Sequence, residues 1–66
     1  MNKVKGYRVG CNLTQQEMAD AIGISVRTYA RLENKPSGFT LEQMTKFVNK
    51  INELNPDLKL EDIFLD

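Results

Sequence analysis

Few side chains in this 66-residue chain are equipped for chemistry. There is no histidine and only one cysteine, Cys11, so imidazole catalysis, His-based metal sites and an intrachain disulfide are excluded. The carboxylates are scattered and no nucleophile stands beside a base, which argues against an enzyme. What remains is a small set of hydrogen-bond donors of fixed charge. Arg27 and Arg31 stand four residues apart, about one helical turn, with Thr28 between them. A guanidinium is a planar fork of donors that pairs with guanine O6 and N7 or with phosphate oxygens. The chemistry open to this chain is recognition rather than catalysis.

Two short helices must position those arginines. Thr14 followed three residues later by Glu17 is a capping box that opens the first, with Leu13 and Met18 spaced as a hydrophobic staple. Met18, Ala21 and Ile22 give apolar i, i+3, i+4 spacing. Gly23 supplies a left-handed residue to end this helix, and Ser25 is an N-cap for the next. Ile24 and Tyr29 are spaced as a second staple. Tyr29 and Leu32 face a core, which leaves Arg27, Thr28, Ala30 and Arg31 on the other side. Ala19 is small enough to let two helix axes cross closely.

The stretch from Leu13 to Asn34 resembles the helix-turn-helix of the phage repressor and Cro-like family, also called the XRE family. The matching residues are Leu13-Thr14-Gln15, Ala19, Gly23 and Leu32-Glu33-Asn34, with Arg8 six residues before Thr14 and Val4 one turn earlier. Relatives usually carry Gly straight after the Asn; Lys35 stands there instead, so this loop departs from the family pattern. The resemblance implies an all-α, lambda-repressor-like DNA-binding domain of four to five short helices, with the helix-turn-helix at about 14–34. By family position, Val26, Arg27, Thr28 and Arg31 would contact bases in the major groove of double-stranded DNA. Gln15, Gln16, Ser25, Asn34 and Lys35 would contact phosphates, the first two through free N–H groups at a helix start. Arg8 and Glu33 would form a partly buried pair tying the first helix to the recognition helix.

The rest of the chain fits one domain, residues 1–66. At 41% apolar residues it reads as a folded globule with a modest core. An early helix at about Asn2–Cys11 carries Val4, Tyr7 and Cys11 as its apolar stripe, and Asn12 can take a left-handed position at its end. Lys35-Pro36-Ser37-Gly38 reads as a loop. Thr40 and Gln43 form a second capping box, with Phe39 and Met44 as its staple. Leu41, Met44, Phe47, Val48, Ile51 and Leu54 make a long apolar stripe that Asn55-Pro56 ends. Leu60-Glu61-Asp62-Ile63-Phe64 reads as one more helical turn. The tail is rich enough in apolar residues for Phe64 or Leu65 to serve a dimer interface.

Net charge is zero, but it is unevenly placed: residues 1–35 hold six Lys/Arg against three Asp/Glu, and residues 36–66 the reverse. The basic surplus lies in the half that carries the motif. No apolar run approaches the roughly 20 residues of a membrane span, and no hydrophobic signal region opens the chain. The expectation is a cytoplasmic protein with no cofactor, metal or small-molecule ligand. The leading function is a small transcriptional repressor acting as a homodimer on a palindromic operator. An antitoxin or restriction-controller regulator shares the motif. A protein-interaction module that has lost DNA binding is the contrasting class.

Overall fold

Each helix starts at a residue suited to starting it. In the computed structural model, which describes residues 2–65, the helices are α1 (Lys3–Gly10), α2 (Gln15–Ile22), α3 (Val26–Asn34), α4 (Leu41–Asn52) and α5 (Leu60–Phe64). The two ends of the expected 1–66 domain lie outside the described residues. Asn2 caps α1 by accepting from the Lys5 N–H. Thr14 Oγ1 accepts from Glu17 N at 3.0 Å while the Glu17 carboxylate accepts from Thr14 N at 2.8 Å. The Thr14 N–H in particular holds the Glu17 carboxyl below the ordinary carboxylate range. Ser25 Oγ accepts from Thr28 N at 3.1 Å, and Thr40 and Gln43 repeat the reciprocal box on α4. On α5 the Asp62 carboxylate reaches back to the Lys59 N–H at 2.8 Å. Such a cap is worth about 1 kcal/mol. That matters for α2 and α3, whose 8 and 9 residues are too few for a stable isolated helix.

The rest of the stabilisation is packing. Met18, Ala19 and Ile22 of α2, Tyr29 of α3 and Phe47, Val48 and Ile51 of α4 are buried around one centre, closed by Val4 of α1, Phe39 and Ile63 of α5. Phe39 lies edge-on to Tyr29, with ring centroids 6.3 Å apart, and edge-on to Phe64 at 5.3 Å. Phe64 also meets Phe47 edge-on at 5.7 Å. This aromatic chain ties α3 to α4 and α5.

The crossing of α2 and α3 depends on two small residues. Ala19 is fully buried, and its carbonyl accepts from both Gly23 N at 2.8 Å and Ile24 N at 3.0 Å. Gly23 sits at φ 84°, in the left-handed region, so the chain reverses there without a Cβ penalty. Asn12 takes the same region at φ 59° and ends α1.

Several expectations from apolar periodicity are corrected. Ala21 is exposed, and Ala19 takes its place in the core. Leu41 and Leu54 are each 70% exposed: Leu41 occupies the first turn of α4, and Leu54 lies past its end at Asn52. The helix thus stops before Asn55-Pro56, and the Asn52 side chain donates to the carbonyls of Asn55 and Leu58. Residues 36–38 are a 3-10 turn rather than an open loop. Gly38 lies so close to Leu32 that a Cβ there would come within 3.1 Å of its Cδ2. Among the described residues, no helix is long and apolar enough to cross a membrane.

The two kinds of glycine position give opposite expectations. Gly6 lies inside α1 with open space where a Cβ would go, so Gly6→Ala should stabilise by up to about 1 kcal/mol through helix propensity alone. Gly23→Ala should destabilise by about 1–2 kcal/mol, a backbone cost, since nothing obstructs its Cβ either. Thermal melts followed by circular dichroism should move in opposite directions, by roughly 4–8 °C per kcal/mol in a domain of this size.

Candidate nucleic-acid interface

The outward face of α3 is set by what its inward face holds. Glu33, the only carboxylate on α3, is buried and turned into the domain. Its Oε2 accepts from Arg8 Nε at 2.7 Å and from Tyr29 Oη at 2.6 Å. Its Oε1 accepts from Arg8 Nη2 and from Gln15 Nε2, both at 3.1 Å. Four donors therefore meet the four lone-pair directions of one carboxylate. Arg8 Nη1 donates onward to the Leu13 carbonyl at 2.7 Å, and the Asn2 amide donates to the Glu33 backbone carbonyl. Among the described residues, no buried side-chain polar atom lacks a partner.

The Arg8–Glu33 pair is thus present and more deeply buried than a partly buried pair would be, with side-chain exposures of 10% and 3%. Burial alone would push the Glu33 carboxyl up, but hydrogen bonds from Arg8, Tyr29 and Gln15 outweigh it and hold the group below the ordinary glutamate range. Tyr29 moves the other way: burial first, then its bond to Glu33, raise the phenol far above the usual tyrosine value. The hydrogen bond to Glu33 also raises the Arg8 guanidinium, against the opposing effect of burial.

With Tyr29 and Glu33 inward, the opposite face of α3 carries Arg27 and Arg31, both exposed. Among the described residues, neither guanidinium has an ion pair or hydrogen bond. The contrast with α4 is sharp, where Lys46 lies 3.8 Å from Glu42 and Lys50 lies 3.2 Å from Glu53. Thr28 is half-buried, and its hydroxyl meets Ser25 Oγ at 2.9 Å. Val26 is half-buried and packed against the core, so it faces outward only in part.

The residues expected at phosphates are divided. Ser25, Asn34 and Lys35 are exposed at the two ends of α3. Gln16 is exposed, with its amide 2.8 Å from Asp20 in the same helix. Gln15 is half-buried, and one amide hydrogen is engaged by Glu33. Gln15 and Asn2 as partners of Glu33 were not apparent from the sequence. Spacing gives no signal for either, because the bonds cross 18 and 31 residues.

A sequence model described as helix-turn-helix matches residues 4–58 of the chain. No curated protein and no solved structure matches it.

The buried carboxylate and phenol give a pH profile whose sign can be worked out. A carboxyl lowered by folding contributes stability that is complete above its unfolded value, about 4.3, and lost as pH falls toward its folded value. A phenol raised by folding contributes stability that is complete below about 10 and lost as pH rises further. Melting temperature should therefore hold level between about pH 5 and pH 9 and fall on both sides. Glu33→Ala, which leaves Arg8 buried without its partner, should cost about 3–5 kcal/mol at neutral pH. Denaturant unfolding checks this: a variant within a few tenths of a kcal/mol of the parent would show that the cluster does not hold the helices together.

Proposed function

The chain belongs to the helix-turn-helix family in its XRE-type, Cro- and C1-like form, a family of DNA-binding regulators, and on that premise we propose that it is a small transcriptional repressor binding a palindromic operator as a homodimer. The observation that carries this reading is the pair of exposed, unpartnered arginines on α3, where the one carboxylate, Glu33, is turned inward to Arg8. A helix presenting such donors fits the major groove, where each base pair offers a distinct pattern.

In this reading Arg27 reads a base edge, the outward part of Val26 packs on a thymine methyl, and Thr28 and Arg31 extend the contact. Gln15 and Gln16 offer the backbone N–H groups of the first turn of α2 to a phosphate, aided by the helix dipole. One amide hydrogen of Gln15 stays with Glu33, and the other is the one that would add to this phosphate contact. Ser25, Asn34 and Lys35 grip phosphates at the ends of α3 and fix register.

Size and half-site spacing support the homodimer. One copy measures 28 Å along its longest axis, whereas half-sites on one DNA face lie about 34–36 Å apart. Two recognition helices at that spacing require two copies. Phe64 is half-buried and packs against Phe39 and Phe47, which favours a place at the edge of the domain's own core. Leu65, 67% exposed, is the tail residue left to meet a second copy.

Two measurements test these assignments. A gel shift on random DNA at low salt should show binding, and Lys35→Ala should weaken specific and random sequences alike while reducing the salt slope by about 1. A variant that loses only the specific site would remove Lys35 from the phosphate set. In sedimentation, Leu65→Glu should lower the dimer fraction with a stability change within about 0.5 kcal/mol; unchanged association would place the interface elsewhere.

A further inference from the structure

We propose that Arg31 reads a base alongside Arg27, and that each operator half-site therefore carries two G·C pairs separated by one base pair. The inference rests on the DNA-binding reading above and deepens it by naming the class of sequence recognised.

The two arginines differ by four positions, which places them about 40° apart around the helix and about 6 Å apart along it. Stacked base pairs rise about 3.4 Å per step. With α3 lying along the groove, side chains rooted about 6 Å apart along its axis reach pairs roughly two steps apart, leaving one between. Both side chains are exposed, and the only carboxylate on the helix is turned inward to Arg8. Nothing on α3 draws either fork away from the groove floor.

Position along the helix separates base reading from backbone grip at Arg31. The phosphate walls flank the groove, so donors at the ends of an inserted helix meet them. Those ends carry Ser25 on one side and Asn34 and Lys35 on the other. Arg31 lies inside α3, next to Ala30. Ala30 is half-buried and presents only a methyl, so the backbone can approach the floor closely at that point. A fork held there matches guanine O6 and N7 with two parallel hydrogen bonds, the commonest specific contact of arginine in the major groove.

The test is selection of bound sites from a random duplex pool by the full chain and by Arg27→Ala, Arg31→Ala and Arg31→Lys, each first checked for an unchanged melt. The parent should enrich half-sites with two G·C pairs one base pair apart, repeated about a dyad. Each alanine variant should lose discrimination at one of the two pairs and bind the parent's site about 5- to 150-fold more weakly. Arg31→Lys should keep its affinity for random DNA but relax the same position as Arg31→Ala, because an ammonium keeps the charge without the fork. If Arg31→Ala weakens every sequence equally and leaves the enriched motif intact, Arg31 grips the backbone and the proposal falls while DNA binding stands. Enrichment of half-sites without paired G·C positions, or at another spacing, overturns it as well. Retention of no duplex at low salt would overturn the DNA-binding reading itself, and this proposal with it.

Discussion

One buried carboxylate constrains the arrangement of this domain more than any other group. Taking the Glu33 charge out of water costs several kcal/mol, and only well-placed charge and hydrogen bonds offset it. Here the donors come from Arg8 in α1, Gln15 at the start of α2 and Tyr29 one turn back in α3. Asn2, before α1, closes the same region through the Glu33 carbonyl. Buried ion pairs are weak evidence for net stability, since apolar replacements of equal volume often do as well. Their effect is on specificity of arrangement: a rotation of α3 about its axis, or a slide of α1, would strand a charge. The same rotation would swing Arg27 and Arg31 off the outward face. The cluster therefore holds the outward face of α3 in place without belonging to it.

Packing supplies what the cluster lacks in affinity between the helices. The aromatic chain from Tyr29 through Phe39 to Phe64 and Phe47 joins α3 to the last two helices. Tyr29 belongs to both systems, its ring against Phe39 and its hydroxyl on Glu33. Gly38 lets the turn after α3 settle on Leu32. A chain of 66 residues has few such contacts to spare, which is why short helices with a cap at nearly every start suit it.

What the sequence made legible was mostly local. Capping boxes at Thr14 and Thr40, the Ser25 cap and the left-handed Gly23 and Asn12 are read from residue types a few positions apart, and all occur. The Arg8–Glu33 pair spans 25 residues and came through family resemblance, since no spacing rule reaches that far. Gln15 looked like a surface donor at a helix start, because nothing nearby in the chain shows that a carboxylate from α3 arrives beside it. Ala21, Leu41 and Leu54 show the limit of periodicity: it marks a stripe but not where packing stops. Leu41 fits the stripe of α4 yet sits at its first position, and Leu54 fits it beyond its last. Phe64 was ambiguous between core and interface for a related reason, as composition counts apolar residues without placing them.

Net neutrality is compatible with a DNA-facing surface once pairing is considered. Screening reduces the reach of an exposed charge to about 8 Å at physiological salt, well short of the 28 Å length of the domain. What a phosphate meets is then the local balance, not the total. Glu42 and Glu53 lie beside Lys46 and Lys50 on α4, and Glu33 is consumed by Arg8. On α3 this leaves two guanidiniums with no carboxylate beside them, followed by Lys35 at its end. A chain with equal numbers of acids and bases thus presents a cationic helix, because the one acid on that helix is directed inward to Arg8.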